Sequence, residues 1–171
     1  MCLGEGFICS IDVYASMDPA AVPRPCACTS VRRVARVLAR AYDAALSGTG
    51  LNITQLAVLR TILRHPHEPL SRVSDDLAMD RTSLYRALDL LRRRDWIILD
   101  RGVDGRSRSA SITAAGLQAM QQADPAWADA QTRIVERFGV AEWKTFVAEL
   151  QRLADCARMD AISPSSRGAG S

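Results

Sequence analysis

The segment that most constrains the fold is residues 79–96, MDRTSLYRALDLLRRRDW, in which apolar and polar residues follow a helical period. Apolar residues recur three and four positions apart and so share one helix face: Leu84, Ala87, Leu88 and Leu91. The opposite face carries polar, charged and tyrosine side chains: Thr82, Tyr85, Arg86, Asp89 and Arg93. We therefore expect a helix over about 81–94, capped by Asp80, with one face in a core and arginines on the other.

The segments around this helix predict its neighbours. Periodic apolar residues predict helices over 29–46, capped by Thr29 or Ser30, and over 54–64, with Leu56, Leu59, Ile62 and Leu63 inside. A short helix capped by Ser71 comes next. After Trp96 the apolar pattern alternates, and Asp-Gly at 104–105 is typical of a hairpin turn between two strands. Thr113 caps a helix over 114–138, bent or broken near Pro125, and a last helix covers 141–157.

This order of elements predicts a fold that is mainly α with a small β-hairpin wing. Two short helices, a tight turn, a third helix and a hairpin form a winged helix-turn-helix, and the other helices form a dimerisation region. In such a unit the second helix of the pair lies in the major groove of DNA. Its arginines are either ordinary solvated charges or contacts to a polyanion, and the arrangement as a whole favours the second interpretation.

The distribution of charge agrees with a nucleic-acid partner. Residues 81–108 contain eight arginines and four aspartates, a local excess of four positive charges, whereas the whole chain has a formal net charge of +3. A basic concentration in a nearly neutral protein indicates a patch for a polyanion. Arginine can bind guanine through two hydrogen bonds, and residues at a helix N-terminus or a hairpin tip can contact phosphate or the minor groove. The predicted DNA-binding residues are Arg81, Thr82, Ser83, Tyr85, Arg86, Asp89, Arg93, Arg106 and Arg108. Asp104 is interpreted as a turn residue or as a partner that orients Arg106.

The run LSRVSDDLAMDRTSLYRALDLLRRRDWI, with the later DRGVDGRSRSASITAAG, resembles the MarR family of bacterial transcription regulators. The resemblance covers about residues 26–157 and is most specific over 70–116. It implies a homodimer, made by the first and last helices, that binds a palindromic operator and is released by a ligand or by oxidation. Asp95-Trp96 stands where the family more often has Gly and an aliphatic residue. Residues 105–108 stand where the wing is often Arg-Arg, which leaves open which arginine enters the minor groove.

These patterns predict five regions. Residues 1–25 form a flexible leader, 26–50 an N-terminal dimerisation helix, 51–112 the DNA-binding domain, 113–160 the C-terminal dimerisation helices and 161–171 a disordered tail. A second copy or packing within one chain must cover the apolar residues of the last helices. These are Trp127, Ile134, Phe138, Trp143, Phe146, Leu150 and Leu153.

Two hypotheses about sensing remain open. A small, perhaps aromatic, ligand is expected to bind between the DNA-binding unit and the dimer helices, near Tyr42, His65 and Trp127. Alternatively, Cys26 and Cys28 precede a helix, where a thiol can ionise and react with oxidants, and Cys156 could join them across a dimer. The aromatic residues are equally compatible with ordinary core packing, and the cysteines with a role as small, unreactive residues.

The sequence does not predict an enzyme, because none of the common hydrolase, P-loop or dinucleotide motifs occurs in it. A thiol peroxidase and a winged helix used only for protein contacts are the lesser alternatives. We expect no cofactor, since five cysteines without zinc-like spacing and the two histidines of HPH are weak metal signals. A cytoplasmic location without membrane contact is expected, because no signal-like or spanning segment is evident.

Overall fold

The structure is a computed structural model that describes residues 25–101 and 107–162. The chain divides into two compact units, one ending at Leu38 and the other beginning at Ala39. The elements follow in the order α1 (Ala27–Leu46), α2 (Ile53–Arg64), α3 (Leu70–Asp76), α4 (Arg81–Arg93), β1 (Ile97–Arg101), β2 (Arg108–Ile112), α5 (Ala114–Phe138) and α6 (Val140–Ile162). The predicted mainly helical fold with one β-hairpin is confirmed. The predicted leader up to residue 24 and the tail from residue 163 lie outside the described residues.

The core of the larger unit is built around α2, which packs against α3, α4, α5 and β2. Because α2 has neighbours on several sides, its buried arc is broad and includes Val58 and Thr61 as well as Leu56. Leucines from α4 and Ile97 from β1 complete the core. Full burial of one such aliphatic side chain contributes about 1.5–3 kcal/mol, so these residues hold α4 firmly from behind.

Three helices of this unit begin at residues whose side chains accept hydrogen bonds from free backbone N–H groups. Asn52 forms a capping box with Gln55 at the start of α2. Asp80 accepts from the backbone N–H of Ser83 at the start of α4, and Thr113 accepts from Gly116 at the start of α5. These caps define the starts of α4 and α5, as the sequence predicted, because short polar side chains satisfy N–H groups that the helix cannot.

The helices α3 and α4 both end in the same local structure. After α4, the backbone N–H of Asp95 donates to the carbonyl of Arg92, and that of Trp96 donates to the carbonyl of Leu91. After α3, Ala78 and Met79 make the corresponding bonds. This paired arrangement is the Schellman motif, which requires a left-handed residue just after the helix and usually has glycine there. Here the left-handed residues are Ala78, with φ of 47°, and Asp95, with φ of 55°.

The hairpin pairs β1 and β2 antiparallel, with Ile97 opposite Ile112 and Arg101 opposite Arg108. Alternate residues of a strand point to opposite faces. Ile97, Leu99 and Arg101 therefore share one face, which begins in the core and ends beside α4.

Several predicted details of the first three helices are wrong. The helix α1 begins at Ala27, so Thr29 and Ser30 lie within its first turn instead of capping it. Ser71 lies inside α3, which has Pro69 at its N-cap. Leu63 is 51% exposed, since it lies in the last turn of α2, where the helix leaves the core. The apolar stripe predicted for α1 is buried only near its end, at Tyr42 and Leu46.

The last two helices also differ from the prediction. The helix α5 is continuous through Pro125. A proline removes one helical hydrogen bond, but Ala123 and Trp127 on either side of it pack against the core and keep the helix in place. The helix α6 extends to Ile162, two residues into the predicted tail. Across the described residues, every helix is too short or too polar to cross a bilayer.

Candidate nucleic-acid interface

The two faces of α4 are separated as its sequence predicts. Leu84, Ala87, Leu88 and Leu91 are buried in the core. Thr82, Arg86 and Arg93 are exposed, and Tyr85 and Asp89 are half-buried at the edges of the outer face. The burial of one face fixes the direction in which the other face points. The structure thus brings together on one surface the side chains expected to contact DNA from this helix.

The N-terminus of α4 is occupied by its own cap. Asp80 accepts a hydrogen bond from the Ser83 backbone N–H at 2.9 Å and another from the Ser83 hydroxyl at 2.6 Å. The side-chain and backbone hydrogen bonds from Ser83 hold the pKa of the Asp80 carboxyl below its usual value. The donors of Ser83 are therefore engaged within the protein, and Arg81 is the remaining exposed cation at this end of the helix.

Asp89 is an organising residue for the arginines at the other end of α4. Its Oδ1 accepts from Arg92 at 3.0 Å, and its Oδ2 pairs with Arg93 Nε at 2.8 Å. The hydrogen bond from Arg92 and the charge of Arg93 hold the pKa of the Asp89 carboxyl below its ordinary value. The carboxylate is thus ionised and orients both guanidinium groups, whereas Arg86 has no carboxylate partner among the described residues.

The three consecutive arginines at the end of α4 have different partners. Arg92 and Arg93 pair with Asp89, as described above. Arg94 instead donates to the carbonyl of Gly50 and stacks over the ring of Trp96 at 4.8 Å from its centroid. Arg94 therefore ties the end of α4 to the loop before α2. Its contacts thus differ from those of Arg92 and Arg93, although all three side chains are exposed.

The hairpin contributes Arg101 and Arg108 to the same surface. The predicted wing residue Arg106 and its neighbour Asp104 lie outside the described residues. A cavity of about 500 Å³ separates α4 from the hairpin, and another of about 580 Å³ lies between α3, α4 and β2. Arg108 and Tyr85 border both cavities. Arg101 was not among the predicted site residues; its position opposite Arg108 depends on the strand register, which the length of the turn alone does not settle.

The three predicted ligand-binding residues have different surroundings. Tyr42 is buried and hydrogen bonds to Gln131, and burial raises the pKa of its hydroxyl. Trp127 lies one helical turn before Gln131 and is covered by the guanidinium of Arg60, 3.9 Å from its ring centroid. Arg60 also pairs with Asp124 at 2.6 Å. Tyr42 therefore contacts α5 one turn after Trp127, which is a residue of that helix.

His65 follows α2 and has carboxylates on both sides of its ring. Its Nε2 lies 2.9 Å from Asp76, and its Nδ1 lies 3.5 Å from Glu68. These pairs connect the end of α2 to α3. The partners of His65 therefore differ from those of Tyr42 and Trp127, the other two predicted ligand-binding residues.

The described cysteines include one thiol that lies directly before a helix. Cys26, Cys28 and Cys156 are all free and exposed. Cys26 directly precedes α1, where backbone and side-chain hydrogen bonds from Thr29 lower the pKa of its thiol. A lower pKa increases the fraction of reactive thiolate at neutral pH.

The C-terminal helices carry an aromatic cluster with an apolar face beside it. The ring centroids of Phe138 and Phe146 are 5.3 Å apart, and Trp143 contacts both rings. Further along α6, Val147, Leu150 and Leu153 are 37–45% exposed. Within the described residues, α6 contains no fully buried side chain. This exposure agrees with the prediction that the apolar residues of the last helices need further contacts to be buried.

Searches with the sequence found no matching family model and no matching curated protein. Comparison with solved structures found clear similarity. The chain is 32% identical to the transcriptional regulator MosR of M. tuberculosis, solved in complex with DNA; the match covers 78% of this chain and 99% of MosR, with a TM-score of 0.68. The regulator PcaV from Streptomyces coelicolor, solved with its natural ligand, is 22% identical over 84% of this chain and 99% of its own, with a TM-score of 0.69. A MarR-family regulator from Rhodococcus sp. RHA1 is 21% identical over 72% and 90% of the two chains, with a TM-score of 0.62.

Proposed function

This chain belongs to the MarR family of winged-helix transcriptional regulators, and on that premise we propose that it is a sequence-specific DNA-binding repressor. The observation that carries the proposal is the division of α4. Its leucines are buried, while Arg86 and Arg93 project from the opposite face beside a hairpin that carries two further arginines. A helix held from behind in this way can lie in the major groove and present its side chains to base edges.

The residues on this surface have different proposed roles. Arg86 is unpaired among the described carboxylates and lies midway along the exposed face, so it reads a base. Thr82 and Tyr85 offer hydroxyl groups beside it, and Arg81 contacts phosphate. Asp89 positions Arg93, so its effect on DNA binding is indirect. We assign the minor-groove contact of the wing to Arg106, a choice that the sequence left open.

We further propose that the protein acts as a homodimer. Valines on α1 and the apolar residues of α6 are exposed in the single chain, which leaves two helices with uncovered apolar faces. A symmetric pair would place two copies of α4 one helical turn apart on the same duplex and would require a palindromic operator.

Release from DNA by a small effector is also part of the proposal. PcaV was solved with its natural ligand, which supports ligand control in a protein of the same fold. In this chain, Tyr42 bonds to Gln131 of α5 one turn after Trp127, and Arg60 of α2 covers the Trp127 ring, which joins α5 to α2. A small aromatic ligand with an anionic group would compete with Asp124 for Arg60 and so disturb the contact between α5 and α2, which packs against α4. As a cytoplasmic regulator of this kind, the protein would have no catalytic activity.

The test is a comparison of two duplexes over a range of salt concentrations. Wild-type protein is titrated with genomic fragments selected for tight binding and with a mixed-sequence duplex. Phosphate contacts make the affinity for both duplexes fall steeply with salt. Arg86→Ala should reduce the preference for the selected fragment by roughly 1–3 kcal/mol, because a base contact is lost. Equal losses on both duplexes would show that Arg86 binds only phosphate, and no binding by the wild type would refute the proposed function.

The lowered pKa of Cys26 favours a second candidate, release of DNA by thiol oxidation. Cys26 should then be alkylated faster than Cys28 at neutral pH, and Thr29→Val should slow its reaction. Peroxide should weaken DNA binding by the wild type but not by Cys26→Ser. Equal alkylation rates, or peroxide release that persists in Cys26→Ser, would remove Cys26 from the mechanism.

A further inference from the structure

The base of the hairpin brings two arginines of like charge face to face. Arg101 of β1 lies directly opposite Arg108 of β2. Side chains opposite each other in an antiparallel pair have Cβ atoms roughly 4.5–5.5 Å apart, and like charges at that separation destabilise the pair. The same strand face is buried at Ile97 and half-buried at Leu99, and it ends at the two arginines, which are both exposed.

The described carboxylates do not neutralise this pair. Asp89 lines the same cavity, but its two oxygens are occupied by Arg92 and Arg93. Asp100 also lines this cavity, but it forms no ion pair with either arginine. Among the described residues, neither Arg101 nor Arg108 has an ion pair.

The position of the pair suggests what would neutralise it. If α4 occupies the major groove and the hairpin reaches toward the minor groove, the sugar-phosphate backbone that separates the two grooves must pass between them. The cavity between α4 and the hairpin, about 500 Å³ in volume, is where Arg101, Arg108 and Tyr85 meet. We propose that Arg101 and Arg108 together bind a single backbone phosphate of the DNA at the base of the wing. This inference rests on the proposed DNA binding.

A shared phosphate has a specific signature in the salt dependence of binding. Arg101→Gln, Arg108→Gln and the double variant are titrated with a fluorescein-labelled mixed-sequence duplex, with Arg137→Gln in α5 as a control of equal charge change. The slope of log affinity against log salt should fall by about 0.9 in the double variant, which corresponds to one phosphate. Each single variant should show most of that fall and bind roughly tenfold more weakly, so the two effects should not add.

Two results would overturn the shared phosphate while leaving DNA binding intact. A slope loss of about 1.8 in the double variant would mean that each arginine binds its own phosphate. Unchanged slopes in all variants, with a steep slope for the wild type, would mean that neither contacts DNA. If the wild type binds no duplex, the proposed function itself fails.

A measurement on the free protein tests the like-charge pair without DNA. Removing one charge relieves the repulsion, so Arg101→Gln and Arg108→Gln should each raise the melting temperature by about 1–3 °C. The double variant should gain little more than either single variant, and Arg137→Gln should change nothing. A lower melting temperature in the single variants would show that the arginines are held by structural contacts, and it would overturn the proposal.

Discussion

The helices α4 and α6 are both amphipathic, and they differ in what covers their apolar faces. Leu88 and Leu91 of α4 are 0% exposed, whereas Leu150 and Leu153 of α6 are 37% and 43% exposed. The residue type is the same, but the cover for α4 comes from its own chain. A periodic pattern therefore identifies the residues that favour burial without identifying the molecule that buries them.

This difference in burial indicates that the winged-helix region and α6 have separate roles. The winged-helix region has a closed core and can hold its DNA-facing side chains in place without a partner. We expect the α6 face to be buried by a second copy, since each leucine that passes from water into an interface contributes up to about 1.5–3 kcal/mol. Substitutions on α4 should therefore change the stability of the fold, and substitutions on α6 should change assembly.

The largest expected effect is on the closed core of α4. Leu88→Ala should lower the free energy of unfolding by about 2–5 kcal/mol, because it leaves a cavity where the side chain is completely buried. Leu90→Ala is the matched control on the same helix; its side chain is 49% exposed, and the change should be within about 0.5 kcal/mol. Denaturant unfolding of both variants measures the difference. Similar losses in the two variants would contradict the separation of the two faces of α4.

The next effect tests whether α6 is covered by a second copy. Leu153→Glu should weaken dimerisation by about 3 kcal/mol, a factor of more than one hundred in the dissociation constant, because it places a charge in an apolar interface. The control Ala148→Glu adds the same charge on the opposite side of α6. Analytical ultracentrifugation gives the dissociation constants, and circular dichroism confirms that both variants remain helical. A monomeric wild type, or equal weakening by both variants, would show that α6 is covered in another way.

Much of the winged-helix region was predictable because its signals are local. Asp80 and Thr113 cap helices within three residues of themselves, and the alternation after Trp96 marks β1. The same local reasoning failed at Leu63, whose exposure depends on where α2 leaves the core, and at Pro125, where packing of neighbouring residues outweighs the lost hydrogen bond.

The candidate site was predictable to the level of a helix face but not to the level of individual partners. The helical period places Arg93 on the outer face, but it does not show that Arg94 binds the carbonyl of Gly50, a residue far away in the chain. The pairing of Arg101 with Arg108 likewise depends on the hairpin register. Such roles come from contacts between distant segments, which periodicity does not describe.

The smallest expected effect concerns how the two regions end their helices. The helix α5 has Gly139 as its C-cap, with φ of 107°, whereas the left-handed residue after α4 is Asp95, with φ of 55°. A left-handed backbone strains residues that have a Cβ atom, and glycine avoids this strain at the cost of a more flexible unfolded chain.

Asp95→Gly should therefore stabilise the fold by about 0.5–1 kcal/mol, because the relief of strain exceeds the entropic cost. Asp95→Ala is the matched control: alanine keeps the Cβ atom and tolerates the left-handed region less well than aspartate, so stability should fall by a similar amount. The hydrogen bond from Thr113 to the Asp95 carbonyl involves the backbone and remains available in both variants. Denaturant midpoints compared at constant slope give the two values. If Asp95→Gly does not raise the free energy of unfolding, Asp95 carries no backbone strain. The turn after α4 would then be as free of strain as the one at Gly139 after α5.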